Sequence, residues 1–472
     1  MRKNLNPILW IALLTISLGA CRVGQKYSRP EIDIPNEFRD QSAAQLTSDT
    51  VLLPLNTFFK DKLLLSLINQ ALEKNNDLAV AHLTMNQLEL NYKQSKLGLL
   101  PTLDLSVGAN RMWLSRNSLN GSLSEQFLGT PYMDDYTASL RLSWEADIWG
   151  KAKMKQEGAW ANYFAQQENL QALKTRIVAQ VAQAYFTLIT LDEQLKVAER
   201  NVLLGDSTLQ MIRLQYESAQ ISSLALDQAE AQKKTAELLI PLAKQNIAVQ
   251  ENALNILCGS FPAKLARSGS ITEAMPDELF SAGVPAMLLS RRPDVKAAEY
   301  GVVATNAQSG LAKAAMYPSL SLTPSIGVNS FRFNTWFDLP GSIVKTVAGN
   351  LTQPIFQKKE LKTAYEVAKI EQEKAAIQFR QSVLVAVGEV SDALARSNHA
   401  DERLQLVEAK KQSLTKATSD AMLLYRSSMA TYLEVITAQN SALENELDAI
   451  NIKREKLEAV TNLYRALGGG VE

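Results

Sequence analysis

Apolar residues at Ile177, Val181, Ala184, Leu188, Leu191, Leu195, Ala198 and Val202 step along the chain by alternating fours and threes. A seven-residue period of this kind marks a helix that supercoils against neighbours, because it keeps one seam turned toward them. Proline is absent from Tyr132 to Ile240 and again from Ile355 to Glu472, so both stretches read as mostly helical. A helix from about Lys151 to Tyr216 would be ~100 Å long. The short polar break Ser218 to Ser223 and the returning stretch Leu224 to Leu257 then predict an antiparallel helical hairpin with the break as its tip. A further helix is expected from Leu63 to Leu99, ahead of Pro101.

Two other regions alternate with period two. Leu103, Leu105, Val107 and Ala109 form one run, and Ala138, Leu140, Leu142 and Trp144 another. Between them lies a Gly/Ser/Asn-rich segment, Asn117 to Gly129, which reads as a loop, so the pair predicts a β-hairpin. A second hairpin is expected from Leu320 to Val328 and from Ser342 to Leu351. Four strands cannot close a barrel, and apolar hairpins left alone would expose their edges. The strands therefore require completion by other subunits.

The order of elements occurs twice because the sequence does. Asp77-Leu78 and Pro101 to Leu105 match Asp294-Val295 and Pro318 to Leu322 at an offset of 217. Leu142, Val181, Ala184, Tyr216, Ala229 and Gly259 match Leu351, Val390, Ala393, Tyr425, Ala438 and Gly468 at an offset of 209. A period of this length is a duplicated domain, too long for a solenoid unit. The resulting division is residues 1–20 as a signal peptide, 21–62 as an acylated extended segment, 63–259 as a first repeat with hairpin 102–146, 260–285 as a connecting segment, and 286–472 as a second repeat with hairpin 319–354.

Composition narrows the function. The 472 residues carry 49 Lys+Arg against 49 Asp+Glu, so no basic surface for nucleic acid is expected. His82 and His399 lack surrounding ligand clusters, and two cysteines exclude a disulfide framework. No phosphate-binding loop or nucleophile–base set is present, so no enzyme and no bound cofactor are expected. Cys258 reads as a small buried apolar residue. The eleven methionines are scattered and indicate no soft-metal path. Phe331, Phe333, Trp336 and Phe337 either rest at a membrane interface or plug a channel mouth.

Arg2 and Lys3 precede an apolar run from Ile8 to Leu18 that is too short to span a bilayer. It ends in Leu18-Gly19-Ala20-Cys21, which resembles a bacterial lipobox. That resemblance implies a diacylglycerol and an N-acyl chain on Cys21, and Arg22 after the cysteine favours the outer membrane.

Leu289 to Glu299, with its Arg291-Arg292-Pro293-Asp294 core, resembles the inter-repeat signature of TolC-family outer-membrane efflux lipoproteins, the NodT/OprM-like outer membrane factors. So do Val23 to Pro30, Trp144 to Gly150, Leu351 to Phe356 and Tyr464 to Gly470. The resemblance spans nearly the whole mature chain. It implies an α+β membrane protein, a TolC-like homotrimer whose 12-stranded β-barrel, four strands per chain, continues into a long α-helical periplasmic barrel. It also implies a tripartite efflux pump with a periplasmic membrane-fusion adaptor and an inner-membrane resistance-nodulation-division transporter. The chain would be its passive duct, exporting drugs or other small toxic compounds across the outer membrane.

The family's tip pattern places an aromatic residue three positions ahead of glycine. Tyr216 and Tyr425 fill the aromatic position, while Ala219 and Ser428 stand where glycine is usual. By this resemblance Tyr216, Ala219, Ser222, Ser428 and Met429 are expected to dock the adaptor. Glu434, Thr437 and Tyr425 are expected at the periplasmic aperture, where threefold symmetry would make Glu434 a ring of carboxylates. Equally, Glu434 is an ordinary solvated helix-face residue, and Tyr425 either latches neighbouring helices through its hydroxyl or packs in the seam. The rival reading is a structural or adaptor-type coiled-coil lipoprotein without a pore.

Overall fold

The computed structural model describes residues 23–39, 54–115, 117–271 and 285–469. The signal segment, Cys21 and part of the connecting segment lie outside the described residues. Helices α1 (Lys62–Lys74) and α2 (Asn76–Ser95) lead to strands β1 (Thr102–Trp113) and β2 (Tyr132–Ala146), which flank α3 (Leu119–Leu128). Then come α4 (Lys151–Glu217) and α5 (Ser223–Leu257). The second half follows with α6 (Pro293–Ala314), β3 (Ser319–Leu322), β4 (Ser325–Ser330), β5 (Ile343–Thr346), β6 (Gly349–Thr352), α7 (Glu360–Arg426) and α8 (Tyr432–Ala466). The four boundaries of α4 and α5 recur in α7 and α8 one 209-residue offset later: Lys151 with Glu360, Glu217 with Arg426, Ser223 with Tyr432, Leu257 with Ala466.

Local chemistry sets these ends. Asp61 caps α1 by accepting from the Leu63 amide at 2.8 Å, and Asn75 caps α2 by accepting from Asp77 and Leu78 at 2.9 and 3.2 Å. The Asn75 cap divides the expected single helix 63–99 into two. Pro293 opens α6, where its missing N–H costs nothing.

The described residues form two compact units, each built from both repeats: those within 1–30, 86–164 and 299–377 in one, and those within 31–85, 165–298 and 378–472 in the other. The first holds the sheet. β1 pairs antiparallel with β2 from Thr102 opposite Ser143 to Trp113 opposite Tyr132. The other edge of β2 pairs with β4 and, further along, with β3, and these carry β5 and β6. The second hairpin is thus present with each strand split in two. Pro324 interrupts the ladder because it has no N–H to donate, yet its carbonyl accepts from Leu142 N at 2.9 Å, and Thr323 N reaches Ala348 O at 2.7 Å. The segment read as a loop, 117–129, holds α3 instead: Leu119, Leu123 and Phe127 fall four apart on one helical side, a spacing masked by the Gly/Ser/Asn composition.

The second unit contains the core. Ile177, Val181, Tyr185, Phe186, Leu188 and Ile189 of α4 pack with Leu64, Leu67 and Ile68 of α1, Leu254 and Cys258 at the end of α5, and Leu457, Val460 and Tyr464 of α8. Every residue of the α4 heptad stripe is buried or half-buried. Within the segment expected to be extended, Leu55–Phe58 makes a helical turn that delivers Phe58 onto Tyr464, ring centroids 4.0 Å apart and stacked. Cys258 is buried, and burial pushes its thiol up to about 11.

The duplication is visible as a shared joint. Asn75 Nδ2 donates to the carbonyl of Leu257, the last residue of α5, and Arg292 Nη1 donates to the carbonyl of Ala466, the last residue of α8. Arg292 also forks onto Asp294 at 2.9 and 2.5 Å and pairs with Glu389 at 2.6 Å. Gly259 and Gly468 end α5 and α8 with positive φ of 68° and 86°. Each closes a 6→1 backbone bond, Ser260 N to Asn255 O and Gly469 N to Tyr464 O, both 2.8 Å.

Candidate functional site: sheet edges and helix tips

Two features are the candidate functional sites, one in each unit. In the sheet, the order runs β1, β2, then β3 with β4, then β5 with β6. β1 has one partner, β2, and β5 and β6 likewise have one each, so both outer edges offer unpaired N–H and C=O groups among the described residues. Leu103, Leu105 and Val107 on β1 are 63–70% exposed and share a face with their partners Leu142, Leu140 and Ala138. The alternate positions of β1, Asp104, Ser106 and Gly108, are polar or small. One face is therefore apolar without covering and the other suits water. Toward one end of the apolar face Arg111 forks onto Asp134 and lies over the Tyr132 ring, beside Trp113. Trp336 is buried against Tyr136, Phe333 and Phe337, while Phe331, Phe333 and Phe337 are exposed.

The hairpin tips are the second feature. Leu209 and Ile212 of α4, Ala229 of α5, and Tyr425, Tyr432 and Val435 of the second hairpin form one cluster, so the two tips of the chain meet. Both turns are 6→1 closures: Gln220 N to Gln215 O at 2.9 Å and Met429 N to Leu424 O at 2.8 Å. Ala219 and Ser428 adopt φ of 54° and 57°, a left-handed conformation that favours glycine. A left-handed L-residue costs ~1–2 kcal/mol. Ala219→Gly and Ser428→Gly are each expected to stabilise the tip by about 1 kcal/mol, read as slower amide exchange at residues 216–222 or 425–431; faster exchange would show that the strain is relieved elsewhere.

Of the expected tip residues, Tyr216, Ala219, Ser428 and Met429 are exposed, and Ser222 is the N-cap of α5. Tyr425 is buried and its hydroxyl donates to Gln215 of α4, so it both latches and packs. Burial pushes the Tyr425 hydroxyl up, and the Tyr432 hydroxyl up to about 12. Glu434 serves its own helix, where its carboxylate accepts from Thr431 N at 2.8 Å in a capping box at the start of α8. Thr437 turns its hydroxyl back onto the Leu433 carbonyl.

Gln215 is absent from the sequence-based expectations, as is a set of polar bridges between α4 and α8. Gln183 pairs with Asn462 and Gln194 with Asn451, each at 3.0 Å, Arg200 with Glu446 at 2.7 Å, and Thr208 with Gln439 at 3.3 Å. Their residue numbers sum to nearly the same value, the mark of one antiparallel register. Amides recurring beside the heptad seam were the available signal. Elsewhere in this unit Asp61 accepts from Tyr185 at 2.5 Å and from Ser268. Burial pushes its carboxyl up, but these hydroxyls hold it below 3.8. Its contribution is complete above that value and fades as pH falls through the lower folded pKa.

Among the described residues no cluster of His, Cys, Asp or Glu could hold a metal, and no helix is long and apolar enough to cross a membrane. An open-edged antiparallel sheet with an apolar face, joined in one chain to two long helical hairpins, defines a TolC-like α+β membrane protein. The chain belongs to the outer membrane efflux protein family, whose pattern it matches over residues 67–260 and 284–469. It is 27% identical over 471 residues to the probable outer membrane lipoprotein SilC of Salmonella typhimurium, covering 98% of each chain. It is 28% identical over 462 residues to the toluene efflux pump outer membrane protein TtgI of Pseudomonas putida, covering 96% of each. A crystal structure of the transmembrane channel CusC superposes with a TM-score of 0.84 at 26% identity, covering 95% of this chain and all of that one. The protein is an outer-membrane efflux channel component, and the reading without a pore falls.

Proposed function

We propose that three copies assemble into a passive duct, with twelve strands closing one barrel and the helical hairpins forming a periplasmic tunnel. The observation that carries this is the pair of open sheet edges. With four strands per copy in alternating directions, β1 of one copy meets β5 and β6 of the next antiparallel, and repeating the contact closes the sheet. Exposed heptad stripes support the same association: Ile370, Ile377 and Leu384 on α7 and Leu242, Val249 and Ile256 on α5 lie seven residues apart and are each more than half exposed in a single chain. The acyl chains on Cys21 add a lipid anchor. The tips, with exposed Leu224, Leu423, Met429 and Leu433, dock a periplasmic membrane-fusion adaptor, and an inner-membrane resistance-nodulation-division transporter supplies the energy. The duct performs no reaction of its own.

The cargo is drugs or other small toxic compounds as a class. Similar identity to relatives named for toluene efflux and for cation efflux selects neither. Glu434 contributes a carboxylate ring at the aperture, and Thr437 and Tyr425 stand beside it. Glu434→Gln retains an acceptor for the capping box and removes only the charge. In planar bilayers it is expected to lower the preference for cations over anions, read as a shift in reversal potential; an unchanged potential would remove Glu434 from the aperture.

A further inference from the structure

Residues 24–30 run extended along α6 in the sheet-bearing unit, held at three levels. At one end Gly24 and Gly310 pack backbone to backbone over Met154: a Cβ on Gly310 would sit 3.1 Å from the Gly24 Cα and 2.5 Å from Met154 Sδ. In the middle Asn306, itself buried and fixed by Gln372, donates to the Gln25 carbonyl at 3.1 Å. At the other end Glu299 receives the Tyr27 hydroxyl at 3.1 Å and the Arg29 fork at 2.7 and 2.5 Å.

The spacings agree in length. Five extended residues from Gly24 to Arg29 cover ~16 Å, and eleven helical residues from Gly310 back to Glu299 cover ~16 Å. The segment therefore lies antiparallel to α6 with its beginning at the helix end that leads to β3. Only four residues, ~6 Å, remain from Gly310 to the end of α6, and three residues, at most ~10 Å of chain, separate Gly24 from Cys21.

We propose that residues 24–29 are a strap whose docking on α6 fixes the lipid anchor at the level where α6 gives way to the sheet, so that acyl chains and barrel meet the membrane together. This rests on the reading of Cys21 as acylated. An anchor on a loose tether would hold the protein at the membrane without placing the strands; the strap converts attachment into height.

The test uses full-length protein with three changes: Glu299→Ala, Glu299→Gln, and the paired Tyr27→Phe with Arg29→Ala, which alters only the strap side. Mass spectrometry of the N-terminal peptide is expected to show the same acyl mass in all. Trypsin cleavage after the exposed Lys26 is expected to rise about tenfold in Glu299→Ala and in the paired variant, the factor that losing one charged hydrogen bond gives to a local opening, and by less in Glu299→Gln. Heat-sensitive oligomer in the outer-membrane fraction is expected to fall severalfold in parallel. Cleavage equal to wild type would overturn the docking, and faster cleavage with undiminished oligomer would overturn its role in placing the barrel. A wild-type peptide without acyl mass would instead remove the lipidation reading, a result separate from the cleavage assay.

Discussion

Replacing Gly259 by alanine is expected to cost about 3 kcal/mol, summing a left-handed conformation without glycine and a backbone overlap. The added Cβ would fall 2.2 Å from the Lys74 carbonyl oxygen, and the obstacle is backbone that cannot swing aside. Gly468 has the same conformation and the equivalent neighbour, Arg291, but its Cβ would meet that carbonyl at 3.1 Å. Gly468→Ala is therefore expected to cost about half as much, mostly through φ alone. Thermal unfolding of the detergent-extracted protein orders the two. Equal shifts would mean that the joint beside Lys74 relaxes and that the two repeats are not packed as described.

Arg292→Ala is expected to cost about 3 kcal/mol, near the lower end for a broken buried ion pair, since Asp294 and Glu389 keep partial access to water. The side chain holds Asp294, Glu389 and the last carbonyl of α8 at once. Lysine has one point charge and no fork, so Arg292→Lys is expected to recover less than half of the loss. A pH signature accompanies it. Burial pushes the Asp294 and Glu389 carboxyls up, but Arg292, with Arg465 at Glu389, holds them below their ordinary 3.8 and 4.5. Groups with lowered folded pKa stabilise fully above those values and lose that contribution as pH falls through the folded ones. Unfolding midpoints measured from about pH 6 to about pH 3 are expected to fall less steeply in Arg292→Ala than in wild type; parallel curves would show that Arg292 does not carry the effect.

Much of the architecture was legible because a duplicated sequence makes each half a control for the other. The period of α4, the breaks before Ser223 and Tyr432, and the paired glycines at 259 and 468 all follow from spacing that one chemistry imposes twice. The legibility failed where composition and geometry disagreed. α3 was hidden because Gly121, Ser122 and Ser124 weaken helix propensity, although Leu119, Leu123 and Phe127 have helical spacing. The split of the second hairpin follows from Pro324 alone, which has no N–H for the ladder. Lys359, left-handed at φ 67°, stands where the first repeat has Gly150 at φ 75°.

The tips were legible as positions and not as interactions. Tyr425 was visible by its match to Tyr216, but one is buried in the apolar tip cluster and the other exposed, and the hydrogen-bond partner of the buried one, Gln215, is an ordinary polar residue on another helix. Glu434 shows the same limit from the other side. A carboxylate three residues after Thr431 is a capping box by local rule and an aperture charge only if symmetry brings copies together.

In the proposed assembly, channel formation depends on other copies closing the open sheet edges. Native mass spectrometry of the full-length protein extracted from outer membranes tests this most directly. Three chains per particle, falling to one only on heating, is the expected result; a particle of one chain that retains its full strand content would contradict it.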